Sequence, residues 1–244
     1  MVMSPTVLYP LTLVGLIHHI LQTQSGTATT TLVICSSRDA FVRQLSQSLQ
    51  DNSQDDHEDQ NGRLQNLATP TLHNLLTTRH IKLAFCASVQ TLLAYLTAYG
   101  RDASLDAVGP VMGARMILVN PLSLHASTLS FSAQGLSRTF SAATETALKS
   151  GTALHVVECQ NGSRLAEQRE GEDVDMDDVN EENTAGEDAE QDPWETEVSI
   201  LNVSARRFGS NSGERAWAGR TVKAKRIAAR WFRFQQLHEE QNSH

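Results

Sequence analysis

The stretch Met116-Ile117-Leu118-Val119-Asn120-Pro121 decides how this chain is read. Four apolar residues in a row, two of them β-branched, suit a strand covered on both faces. The strand must stop at Asn120, because Pro121 has no N–H to give to a ladder. Working outward, the same kind of short run recurs in Thr31–Cys35 (TLVIC), Ile81–Cys86 (IKLAFC) and Leu154–Cys159 (LHVVEC). Helical spacing fills the gaps. Arg38 to about Leu49, capped by Ser36 or Ser37, puts Phe41, Leu45 and Leu49 on one stripe. Ser88–Tyr99 offers Leu92, Leu93, Tyr95 and Leu96 to a core, and Phe131–Lys149 offers Leu136, Phe140 and Leu148. Leu67–Thr78 is a weaker helical stretch, and Gly100–Gly113 reads as a linker. Alternating strands and helices predict an α/β fold with a mostly parallel sheet flanked by helices.

The chain has 244 residues and a formal net charge of −8, enough for one sizeable domain with an insertion. Three cysteines exclude a disulfide scaffold and point to a reducing intracellular compartment. Val7–Leu21 (VLYPLTLVGLIHHIL) is apolar but shorter than the ~20 residues of a bilayer span. It contains His18 and His19 and lacks a basic flank, so the expectation is a buried helix, with no signal, anchor or membrane contact. Both histidines read as packing or surface residues.

Charge is distributed unevenly. Thirteen of the twenty-six residues from Glu167 to Asp192 are acidic, and Arg169 is the only base among them. Such a run repels itself and has little to bury, which predicts a disordered acidic insertion, either a spacer or a strip competing with nucleic acid for a basic surface. From Val203 to Phe234 the sign inverts: Arg206, Arg207, Arg215, Arg220, Lys223, Lys225, Arg226, Arg230 and Arg233 stand against Glu214 alone. Trp194–Phe208 and Arg220–Phe234 read as two strands of an antiparallel hairpin at the sheet edge, joined through the glycine-rich Gly209–Gly219. Trp217 in that turn either covers the hairpin or stacks on a base. The expected organisation is a core over 1–166, an acidic insertion over 167–193, a hairpin completing the core over 194–236 and a tail over 237–244.

Several chemistries lack their motifs. GxxxxGK[ST], GxGxxG and GxSxG are all missing, and none of the four lysines (Lys82, Lys149, Lys223, Lys225) follows a glycine. HExxH and CxxC are also missing, so no metal or other cofactor is expected. Cys35, Cys86 and Cys159 at strand ends read as small buried hydrophobes. The sequons at Asn161 and Asn202 lack a secretory context. The strand ends themselves carry Ser36-Ser37, Asn120 and Gln160-Asn161, which are polar but uncharged. A Rossmann-like methyltransferase or hydrolase would need a glycine-rich first loop and an acid at a strand end, and neither is read in the sequence.

The order of these pieces resembles the RecA/Rad51 superfamily, in particular its recombination paralogs. TLVICSS followed by RDAFVRQL resembles the strand and helix after the family's P-loop helix, and IKLAFCASVQTLLAYL the next pair. RMILVNPLSLH looks like the Walker B strand, with Asn120 where the family has Asp. LSRTFSAATETALKSGTALHVVECQN resembles the helix leading to a strand with a polar tip, and the arginine-flanked C-terminal pair resembles the closing hairpin. LTLVGLIHHILQ is similar to the helix that follows a P-loop, yet no P-loop precedes it.

The resemblance, over about residues 11–234 without the acidic insertion, implies a RecA-like fold and a pseudo-ATPase. Its partners would be other Rad51-like or RecA-fold subunits and DNA. The implied role is DNA repair by homologous recombination, in the nucleus with the cytoplasm as a second location. The implied phosphate contacts are Arg206, Arg207, Arg220, Lys223, Lys225, Arg226, Arg230 and Arg233, and Asn120 would be a degenerate nucleotide site. The alternative is a scaffold subunit of an Elongator-like RecA-fold complex in tRNA modification. On this reading, reversing charge at Lys223, Lys225 and Arg226 weakens nucleic-acid binding without unfolding the domain.

Overall fold

The computed structural model describes residues 4–24, 28–51, 71–105, 113–160, 192–200 and 220–237. Residues 167–191 of the expected insertion, Arg206, Arg207, Arg215, Trp217 and the turn at 209–219 lie outside these ranges.

Four expected strands fold as β2 (Thr30–Ile34), β3 (Ile81–Phe85), β4 (Arg115–Val119) and β5 (Ala153–Val157), all parallel to their neighbours. Two more strands join them: β1 (Thr6–Tyr9) and β8 (Arg233–Gln236), in the order β3-β2-β4-β5-β1-β8. The central β4 sets Ile117 opposite both Leu32 and His155. Met116 to Val119 are at most 1% exposed, as expected for a strand sandwiched between two helical layers.

One layer holds α1 (Leu13–Thr23) and α2 (Arg38–Asp51), whose Leu16, Ile20, Phe41 and Leu45 pack with Leu32, Ile34 and Ile117. The other holds α4 (Val89–Leu105) and α6 (Ala133–Ser150), where Leu92, Leu96, Leu136 and Phe140 are fully buried beneath Met116 and Leu118. Leu148, expected on that apolar face, is 62% exposed instead. Short helices α3 (Leu72–Thr78) and α5 (Pro121–Ala126) precede β3 and follow β4. Pro121 ends the strand as expected and also starts α5, where the missing N–H costs nothing. The expected linker at Gly100 begins as the last turns of α4, which runs to Leu105.

Two regions differ from the sequence reading. Val7–Leu21 is not one helix: TVLY forms β1, and the helix starts only after Thr12, whose Oγ1 accepts the Gly15 N–H at 3.1 Å. The C-terminal pair of long strands is also broken up. A single 3₁₀ turn (Pro193–Glu195) leads into β6 (Glu197–Ser199), which pairs antiparallel with β7 (Thr221–Lys223) in a separate two-stranded sheet. From Ala224 the chain turns into α7 (Ala224–Ala228) and then β8, which lies parallel to β1. Ala224, Ile227 and Ala228 are buried, which is the i, i+3, i+4 period of a helix rather than the alternation of a strand.

An aromatic cluster fastens this C-terminal unit to the sheet. The Trp194 and Phe234 rings meet edge to face at 5.4 Å, Tyr9 meets Phe234 at 5.6 Å, and Phe140 meets Phe232 at 5.2 Å. Trp194 is 1% exposed. Trp194→Ala should therefore destabilise the fold by roughly 3–5 kcal/mol, the range for emptying a buried aromatic site, measured by urea unfolding.

Candidate nucleic-acid interface

Six of the eight expected phosphate-binding residues are described, and the structure sorts them by what their charges already touch. Lys223 closes an exposed ion pair with Glu195 at 2.7 Å and stands opposite Glu197 in the β6–β7 ladder. Lys225 reaches the same Glu195 at 3.3 Å and lies 5.5 Å over the Tyr9 ring and 5.8 Å over the Phe234 ring. The two lysines hold the Glu195 carboxyl below its usual range, chiefly through hydrogen bonds. As ion pairs these contacts are partly solvated and weak, so their effect is more to occupy the lysines than to stabilise the fold. Lys225 is a packing residue at the β1–β8 edge as much as a surface cation.

The arginines differ. Arg220, Arg226, Arg230 and Arg233 are exposed, and their guanidinium groups meet no carboxylate among the described residues. Arg226 borders a shallow groove of about 450 Å³ with Glu197, Thr221, Lys223 and Lys225. Arg230 lies in the turn after α7, its N–H on the Ile227 carbonyl, and Arg233 opens the edge strand β8 with its backbone N–H on Pro5. Counting 192–200 with 220–237, six bases face three acids, Asp192, Glu195 and Glu197. The face is therefore basic, but its available positive charge is arginine charge.

At the strand ends, where α/β sheets place ligands, polar groups of the described residues bond to one another. Asn120, expected at a nucleotide site, sits at φ 58, a left-handed conformation that Asn tolerates well. Its Oδ1 accepts the Cys159 N–H at 2.8 Å and so stitches the ends of β4 and β5 together. Pro10, Leu11 and Thr12 alone connect β1 to α1, and Gln160 donates its N–H to Leu11 across that connection at 2.9 Å. β1 lies beside β5 and β8 rather than β2, unlike the two common dinucleotide- and mononucleotide-binding strand orders.

One acid at a strand end escaped the sequence reading. Glu158, just past β5, is 2% exposed. Its carboxylate accepts the Leu122 N–H at 2.9 Å, the Ser123 N–H at 2.8 Å and the Ser123 hydroxyl, which caps α5. Burial pushes its pKa up to about 7 against the opposing pull of those donors. Both oxygens are occupied and shielded, so Glu158 acts as an internal cap rather than as an acid facing a substrate. Burial likewise raises the thiols of Cys35, Cys86 and Cys159, which are free and buried, as expected of packing residues.

On the opposite layer, a recess of about 310 Å³ opens between α4 and α6. Its floor is the buried His125, whose Nε2 meets the Thr139 hydroxyl at 2.9 Å and whose Nδ1 meets the Ser130 carbonyl at 3.3 Å. Burial lowers the His125 pKa. No group of three or more metal-ligating side chains occurs among the described residues. No helix among them is long and apolar enough to cross a membrane. No known protein family matches the chain, and no curated protein matches its sequence.

The raised pKa of Glu158 sets a pH dependence. The folded state holds this proton more tightly than the unfolded chain, so the contribution to stability is complete below about pH 4.5 and is lost as pH rises towards 7. Its size is roughly 3 kcal/mol at most. His155, lowered to about 4 by burial and then by Arg115 and His19, acts in the opposite sense and loses stability as pH falls from about 6.5. The clean readout is therefore a difference: Glu158→Gln should gain stability on the wild type between pH 5 and pH 8. Parallel melting-temperature profiles for the two proteins would show that this carboxyl does not titrate with folding.

Proposed function

We propose that this chain is a non-catalytic RecA/Rad51-like subunit that binds partner proteins and presents a basic C-terminal face to nucleic acid, DNA in homologous recombination. The observation that carries the nucleic-acid part is the set of four exposed arginines between residues 220 and 233 that have no carboxylate partner among the described residues. Phosphate contacts of this kind position a strand without reading its sequence. Guanidinium groups suit them better than the two lysines, which already hold Glu195. Kinship to RecA is supported by four of the stretches that resemble the family, which become β2–α2, β3–α4, β4–α5 and α6–β5 around one parallel sheet.

A non-catalytic role is supported by the chemistry of two positions. The β1–α1 connection is Pro-Leu-Thr, with no glycine amides to cradle a phosphate. The Walker B position holds a neutral amide already bound to Cys159. Asn120→Asp, which restores the carboxylate, should leave ATP hydrolysis at background, because the phosphate cradle is still missing. Phosphate release above background in a malachite-green assay would reopen the enzymatic reading.

The arginines give the sharper test, and Lys225 is best left out of it because its loss would loosen the Tyr9–Phe234 contact. Arg226→Glu, Arg230→Glu and Arg233→Glu together should weaken single- and double-stranded DNA binding equally across sequences. The log–log salt slope should flatten by about 2–3. Unchanged affinity and slope with an unchanged melting temperature would end this assignment, and tighter binding to tRNA than to DNA would move the same face to RNA.

A further inference from the structure

β2 and β3 run parallel, and the last pair in their register is Ile34 opposite Phe85. The ladder continues one residue further. The Cys86 N–H donates to the Ile34 carbonyl at 2.8 Å, and the Cys35 N–H donates to the Val119 carbonyl of β4 at 2.9 Å. This register sets Cys35 beside Cys86. Strand alternation turns both side chains to one face, where they lie in a single buried cluster with Val33, Val89 and Leu92. Both thiols are free, at 3% and 1% exposure. The third thiol, Cys159, packs in the cluster on the other face of the sheet.

Neighbouring strands lie ~4.8 Å apart, inside the Cα separation of roughly 4.4–6.8 Å that a disulfide spans. Opposed Cβ atoms at that spacing stand about 1 Å further apart than a relaxed disulfide prefers, so a bond between them draws β3 inward and carries strain. β3 is the end strand of the sheet order and can shift, whereas β2 is held between β3 and β4. The two thiols also differ in access. Burial raises the Cys86 thiol, and it raises Cys35 well above the ordinary value, with Glu158 and then Cys86 itself adding to the effect. Cys86 is followed directly by exposed Ala87 and half-buried Ser88. Opening the turn before α4 therefore uncovers Cys86 first.

We propose that Cys35 and Cys86 form a reversible cross-linking site, oxidised to a disulfide by exchange with a small-molecule disulfide of the glutathione class. In the first step the Cys86 sulfur, having given up its proton, attacks one sulfur of the small disulfide. That S–S bond breaks, a mixed disulfide forms, and one glutathione leaves and takes up a proton. The Cys35 sulfur then attacks the Cys86 sulfur and expels the second glutathione in the same way. Two protein thiols are oxidised, one small disulfide is reduced to two thiols, and no electron or proton is left over. Strain places this bond among the labile disulfides that reduced glutathione reverses, not among the structural ones that resist it. The bond ties the end strand to β2 and closes the loop that runs through α2 and α3. In a reducing compartment the pair stays as two thiols, and it closes as the glutathione pool becomes oxidised. The inference does not depend on the chain binding partners or nucleic acid.

The test treats the folded full chain with glutathione disulfide, blocks the remaining thiols with iodoacetamide under denaturing conditions and maps the products by peptide mass. The expected product joins the Cys35 and Cys86 peptides, releases two glutathione molecules per chain and leaves Cys159 alkylated. Excess reduced glutathione should return both thiols. Cys35→Ala should stop the reaction at glutathionylated Cys86, and Cys159→Ala should leave the cross-link unchanged. The wild-type map decides the question even where a variant fails to fold. Three alkylated cysteines after the treatment, a wild-type mixed disulfide that goes no further, or a bond to Cys159 would overturn the proposal. So would a cross-link between two chains on a non-reducing gel, or one that excess reduced glutathione leaves intact.

Discussion

The pairing of β1 with both β5 and β8 is the constraint on which the rest of the molecule depends. Thr6 stands opposite His155 on one side and Arg233 on the other, so the first described strand is an interior one and the last closes over it. The described ends nearby are held by specific contacts: Gln160 bridges to Thr12, the Asp192 side chain accepts the Trp194 N–H, and the Ile200 N–H donates to the Arg220 carbonyl at 3.0 Å.

How much of this was legible depends on burial. β2, β4 and β5 were readable within a residue or two at each end because strands covered on both faces favour apolar runs. β1 was not, because TVLY adjoins LVGLI and the two merge into one apolar stretch. The available signal was Tyr9-Pro10 followed by Thr12, a break and then a cap. In Arg220–Phe234 the parity of Val222, Ala224 and Arg226 imitated a strand, while the period of Ala224, Ile227 and Ala228 carried the helix. A window containing both signals cannot be decided without knowing which side faces the core.

The candidate site was legible as composition and not as arrangement. The excess of bases was visible, but the sorting of lysine from arginine depends on where Glu195 comes to lie, and nothing local fixes that. Glu158 was hidden for a similar reason. Within LHVVEC it reads as the polar end of a strand, and only the return of α5 to the same strand end makes it a buried cap. Its donors explain why a carboxyl is tolerated there: three hydrogen bonds replace water at a site where an unpaired charge would be costly.

The two ends of the sheet now present different chemistries, and distance keeps them independent. β3 and β8 are separated by five strand spacings of ~4.8 Å, about 24 Å in all. That is about three Debye lengths at physiological salt, where the screening length is about 8 Å. Lys82 therefore adds little to the potential at Arg226, Arg230 and Arg233.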